Sequence, residues 1–123
     1  MAGRAATGQT GESEACRHLE QSGYKILCRN FRRRCGEIDV VASRAGVTVF
    51  VEVKERRGDS HGEGYEAVTM GKRRRIIRAA RLYAASRGLS EAPLRFDVVS
   101  IERADDGTTR IRHFEGAFDS EGS

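Results

Sequence analysis

Apolar and polar positions along the chain follow two rhythms, and the change from one to the other marks its elements. In GESEACRHLEQSG, Ala15, Cys16 and Leu19 recur at helical spacing and Gly23 follows as a stop, so a first helix is expected there. YKILCRNF reads as a short strand from Tyr24 to about Arg29. The segment EIDVVASRAGVTVFVEVK, Glu37 to Lys54, alternates with period two on both sides of Ala45-Gly46 and predicts a β-hairpin. RGDSHGEG then reads as a polar, Gly-rich loop. A second helix is expected from near Tyr65 to Arg87, with Ile76, Ala80 and Tyr83, flanked by Ile77 and Ala84, as its buried stripe; Gly88 and Pro93 end it. RFDVVSIE is another strand and, after the turn ADDG, TTRIRHF a final edge strand.

The order α-β-β-β-α-β-β predicts an α/β fold, a mixed β-sheet with one helix on each side or both on one side. Residues 11–114 form the expected single domain, with residues 1–10 and 115–123 as flexible tails.

The hairpin contains charges that its strands do not need. Ile38, Val40 and Ala42 share one face with Val49, Val51 and Val53, which sends Glu37, Asp39 and Val41 to the other face with Phe50, Glu52 and Lys54. A loop centred on Ala45-Gly46 sets Val41 opposite Phe50, Asp39 opposite Glu52 and Glu37 opposite Lys54, and a one-residue slip would split the aliphatic set. Asp39 and Glu52 are then expected roughly 5 Å apart, where like charges repel unless a cation or a shared proton lies between them. Two converging carboxylates suit a hard cation such as Mg²⁺, and Lys54 puts a positive charge beside it. That combination meets the needs of phosphodiester hydrolysis. Glu12 falls on the interior stripe of the first helix with Ala15, Cys16 and Leu19, and is expected to reach the same point as a third carboxylate.

Composition narrows the partners. Of 123 residues 33% are charged, with a net charge of +4, and the cations cluster: Arg29 with Arg32, Arg33 and Arg34; Lys54 with Arg56 and Arg57; then KRRRIIRAARLYAASR, from Lys72, Arg73 and Arg74 onward, without an acid. Such a surface suits a polyanion, although an arginine-rich helix is also compatible with a merely solvated face. No apolar run reaches membrane-spanning length and the first residues lack the apolar core of a signal peptide, so a cytoplasmic protein without a membrane partner is expected. Cys16, Cys28 and Cys35 have no metal-ligand spacing and read as free thiols, and no second histidine stands near His18, His61 or His113 at such spacing.

Asp39 followed by Glu52-Val53-Lys54 resembles the PD-(D/E)XK motif of restriction-endonuclease-like nucleases, with Ile38 in place of the proline. A glutamate on a preceding helix, as at Glu12, is similar to the branch that includes archaeal Holliday-junction resolvases. Over nearly the whole chain, GESEA, GYKILCRNFR, GEIDVVA, VFVEVKERR, AVTMGKRRRI and RFDVVSI resemble, in order and spacing, the YraN family of small bacterial proteins. The resemblance implies the restriction-endonuclease-like fold, with Glu12, Asp39, Glu52 and the Val53 carbonyl as ligands of Mg²⁺ (Mn²⁺ able to substitute) and Lys54 as the catalytic lysine. It also gives Glu37 a supporting role and Lys72 a phosphate contact. The expected activity is metal-dependent hydrolysis of DNA, with structured or branched DNA favoured. RNA as substrate, a homodimer able to cut two strands, and a non-catalytic nucleic-acid-binding adaptor that retains the fold stay open.

Overall fold

The computed structural model describes the backbone of residues 3–58 and 68–123, with side chains from residue 11 onward in those ranges. His61 and Tyr65 lie outside the described residues. The elements are α1 (Gly3–Gln21), β1 (Lys25–Arg33), β2 (Gly36–Arg44), β3 (Val47–Arg57), α2 (Met70–Ser86), β4 (Leu94–Arg103) and β5 (Thr109–Phe118). They follow the expected order.

The five strands form one sheet in the order β1-β2-β3-β4-β5, with β3 and β4 parallel and every other pair antiparallel. Strand β3 leads through α2 to its parallel neighbour β4, since parallel strands need a crossover rather than a tight turn. The helices cover opposite faces. Ala15, Cys16 and Leu19 of α1 pack on Val40, Ala42, Val49, Val51, Val99 and Ile101. On the other face Ile76, Ile77, Ala80 and Tyr83 of α2 pack on Val41, Phe50, Phe96 and Val98. Val41 and Phe50, the apolar members of the charged hairpin face, are therefore the floor under α2. Ile38 departs from its expected set: it joins Phe31 on the α2 side.

The hairpin has the expected register, with Val40 opposite Val51, Val41 opposite Phe50 and Arg44 opposite Val47. Its two-residue turn places Ala45 at φ 53° and Gly46 at φ 81°, both positive as a type I′ turn requires. Recorded pairing stops at Val40–Val51, short of Asp39 and Glu52.

Several element ends differ from expectation. Helix α1 runs back to Gly3 through the stretch expected as a tail, in which Ala5 and Ala6 favour helix. Strand β1 continues through Arg32 and Arg33 because β2 pairs with it as far as Gly36. Helix α2 begins at Met70, where the Thr69 side chain accepts a hydrogen bond from the Lys72 N–H at 3.2 Å. Strand β5 passes the expected boundary at 114 to Phe118, which is buried and stacks on Phe96 at 5.1 Å. Beyond it, the Arg73 guanidinium donates to the Gly122 carbonyl at 2.9 Å and binds the chain end to α2.

On the α1 side a buried polar network joins β4, β5 and the start of β1. Asp97, fully buried, accepts from Arg95 (2.9 and 2.8 Å) and the Gly116 N–H (3.0 Å), and lies 2.7 Å from His113 Nε2. Burial alone would raise the Asp97 carboxyl, but His113, Arg95 and the Gly116 N–H outweigh it and hold the group below its ordinary value. Arg95 also donates to the Tyr24 hydroxyl, and Arg103 ties Glu14 of α1 to Glu55 of β3.

Two expectations follow. A Cβ on Gly36 would lie 2.2 Å from the Arg75 carbonyl of α2, so Gly36→Ala must displace the helix; urea denaturation should show a loss of about 1–3 kcal/mol, and an unchanged midpoint would refute the close β2–α2 approach. Asp97→Asn should cost about 3 kcal/mol near neutral pH, because it leaves the half-buried Arg95 and His113 against a neutral, fully buried partner. Since the folded value of Asp97 lies below 3.8, its contribution is present above that pH and lost as pH falls through the folded value. Stability curves of the two proteins should therefore converge only in that acid range.

Candidate active site

Glu52 stands in the middle of β3, 5% exposed, on the face that α2 covers. Its neighbours in the strand are Val51 and Val53, so local propensity favours the strand and leaves the carboxylate to be satisfied by tertiary contacts. The Lys72 ammonium, in the first turns of α2, meets Glu52 Oε2 at 2.7 Å. Asp39 of β2 is the second carboxylate. Its Oδ2 accepts a hydrogen bond from the Val53 N–H at 2.8 Å, the donor that a continued hairpin ladder would give to the Ile38 carbonyl. The carboxylate thus takes over a strand contact where the ladder ends, and it brings β2 and β3 together around the pair.

The electrostatics of the pair are tense. Burial and then the neighbouring Asp39 charge push the Glu52 carboxyl up to about 7, and the bond from Lys72 only partly offsets them. Lys72 is itself raised, first by its bond to Glu52, with Asp39 and Glu37 adding to the effect. Glu52 is the carboxylate that binds the Lys72 ammonium, and Asp39 and Glu37 add negative charge nearby.

Lys54, two residues beyond Glu52 on the same face, is half-buried and pairs in the parallel ladder with Ser100. The Ser100 hydroxyl is buried and has no hydrogen-bond partner among the described residues. Beside the pair, Glu37, Thr69, Gly71, Lys72, Arg75 and Ile76 line a cleft of about 530 Å³.

The expected residues are thus brought together in part. Asp39, Glu52, the Val53 N–H and Lys72 meet, Glu37 lines the adjoining cleft with Lys72, and Lys54 lies two residues along β3 from Glu52. Glu12 does not join them: α1 packs on the opposite face of the sheet, and the Glu12 carboxylate accepts from Asn30 Nδ2 at 2.9 Å and pairs with Arg29 at 3.7 Å. Among the described residues, no group of three carboxylate, imidazole or thiol side chains comes together as a metal-holding cluster. The helical stripe did turn Glu12 toward the sheet, but periodicity is silent on which face of the sheet a helix covers.

The basic residues divide as well. Arg32 and Arg34 are exposed beside the β1–β2 turn, Arg33 stacks over the Phe31 ring at 4.2 Å, Arg56 is half-buried on β3, and Arg74 is exposed on α2. Arg73 turns inward, donating to the Val68 and Gly122 carbonyls and lying over the Phe118 ring, so it serves the fold rather than an outer partner. Sequence reasoning missed Arg75 and Ser100 as site neighbours. The helical spacing of Lys72 and Arg75, three apart and hence on one side of α2, was the available signal for the first; nothing local marked the second.

The donor set fits a hard divalent cation. Glu52 resists ionisation first because it is buried and then because Asp39 lies beside it, an electrostatic deficit that such an ion would relieve.

Comparison with known proteins finds a family match. Residues 11–101 match the family described as Uncharacterised protein family UPF0102. The chain is 50% identical over 111 residues to the UPF0102 protein STH1475 of Symbiobacterium thermophilum, covering 90% of this chain and 94% of that one. It is 46% identical over 119 residues to a UPF0102 protein of Syntrophotalea carbinolica, covering 97% and 96%. Neither name states an activity.

Because the folded Glu52 value lies above its ordinary 4.5, ionising it costs stability, and the loss develops as pH rises from 4.5 through about 7. Glu52→Gln removes that cost. At pH 8 the variant should be more stable than the wild type by on the order of 2 kcal/mol, with no difference near pH 4; thermal unfolding across that range measures it, and a variant less stable at pH 8 would contradict the strained pair.

Proposed function

The chain belongs to the UPF0102 family, also known as the YraN family, and from its carboxylate pair we propose that it is a metal-dependent endonuclease hydrolysing phosphodiester bonds in DNA. The observation that carries the reading is Glu52, buried beside Asp39 with its carboxyl pushed up to about 7. A sheet built only for stability gains nothing from two carboxylates in that position.

Asp39, Glu52 and the Val53 carbonyl would hold Mg²⁺, or Mn²⁺ in its place. The ion supplies a lowered pKa for water and a counter-charge for a phosphate oxygen. The chain's own groups do the rest. Asp39 is oriented by the Val53 N–H, so the ligand set is fixed by the hairpin itself. Lys54, on the same face as Glu52, offers its ammonium to the negative charge that develops on the phosphate. Arg32 and Arg34 at the sheet end, with Arg56, Arg74 and Arg75, provide cations for a nucleic-acid backbone. Structured or branched DNA is the favoured substrate, and two-strand cutting would call for a homodimer.

The Lys72–Glu52 ion pair favours a second reading. A lysine that already balances Glu52 suits a non-catalytic nucleic-acid-binding or adaptor protein that keeps the fold. Cleavage of labelled duplex, single-stranded, flap and four-way-junction DNA, and of RNA, in Mg²⁺ or Mn²⁺ separates the two. The nuclease reading expects cutting that Asp39→Ala and Lys54→Ala each reduce by about a hundredfold or more; binding without cutting, indifferent to both substitutions, would establish the adaptor instead.

A further inference from the structure

We infer that Lys72 is the resident counter-ion of the carboxylate pair, displaced when a divalent cation takes Glu52 and released to hold a nucleic-acid phosphate in the adjoining cleft. This rests on the cation-binding reading of Asp39 and Glu52.

The geometry sets the competition. Lys72 Nζ lies 2.7 Å from Glu52 Oε2, with the lysine side chain 44% exposed and the glutamate 5%. The ammonium therefore stands between the buried carboxylate and solvent, on the side from which an ion arrives. A hard divalent ion needs Glu52 oxygen at about 2.1 Å, and two cations sharing one carboxylate at such distances repel strongly. The lysine is the partner able to yield, since its four-carbon stem is flexible and its tip is open to water.

The cleft says where it goes. Lys72 lines that space together with Thr69, Gly71 and Arg75, and about 530 Å³ is room enough for a sugar-phosphate unit. Glu37 lines it too and offsets the charge of Arg75. While Lys72 is engaged by Glu52, the cleft has little net attraction for phosphate. Once an ion occupies the pair, Lys72 and Arg75 together outweigh Glu37. Metal and nucleic acid should therefore bind with positive linkage through one side chain, each tightening the other by the same factor.

Calorimetric titration of Ca²⁺ into the full chain at pH 8.5, with wild type and Lys72→Gln, tests the competition; the affinity of each protein for a labelled branched DNA, in Ca²⁺ or EDTA, tests the release. Lys72→Gln should bind Ca²⁺ about tenfold more tightly, since the ion no longer has to break a charge-assisted hydrogen bond. The gain in DNA affinity that Ca²⁺ gives the wild type should shrink by about tenfold in the variant. Equal or weaker Ca²⁺ binding by Lys72→Gln, beside normal binding by the wild type, overturns the counter-ion role alone. Failure of both proteins to bind Ca²⁺ would remove the cation site itself, and this inference with it.

Discussion

Two like charges held inside one sheet are the constraint around which this molecule is arranged. Glu52 lies on the central strand under α2, and Asp39 reaches the Val53 N–H from the neighbouring strand. Satisfying them requires a break in the β2–β3 ladder, a cation from outside the sheet, and a helix close enough to deliver it. The recorded ladder ends at Val40–Val51, Lys72 is the cation, and Gly36 lets the Arg75 carbonyl of α2 approach β2 where any side chain would collide. The crossover from β3 to β4 fixes α2 on that face, so topology and electrostatics meet at the same residues.

The opposite face shows how a buried carboxylate is treated when donors converge on it. Asp97 is less exposed than Glu52, yet its carboxyl is held below its ordinary value because Arg95, His113 and the Gly116 N–H converge on it. Among the described residues Glu52 has Lys72 as its donor and Asp39 as a repelling neighbour, and its carboxyl is pushed up. Burial is common to both; the number and sign of the partners separate them. A group left under-compensated in this way is the ordinary signature of a site that receives a charge.

Cations divide along the same line. Arg73 clamps the chain end to α2, Arg95 compensates Asp97, and Arg103 joins α1 to β3. Arg32, Arg34, Arg74, Arg75, Arg78 and Arg81 stay exposed, so the β1–β2 turn and α2 keep a basic outer surface beside these internal struts. Clustering in sequence does not by itself separate the two roles.

Much of this was legible in the chain itself. Period-two alternation is a local property, so the hairpin and its register followed from residue order, as did the stripes of α1 and α2. Strand and helix periods, however, say nothing about which side of a sheet a helix covers. Glu12 was turned toward the sheet as expected, but α1 lies on the face away from the carboxylate pair, and Asn30 and Arg29 hold it there. The burial of Phe118, the Asp97–His113 contact and the Lys72–Glu52 ion pair depend on residues distant in sequence meeting in space. The sequence by itself determined the elements and the carboxylates that face one another. Only the tertiary structure decided which cation reaches them, because that depends on the packing of α2 against the sheet.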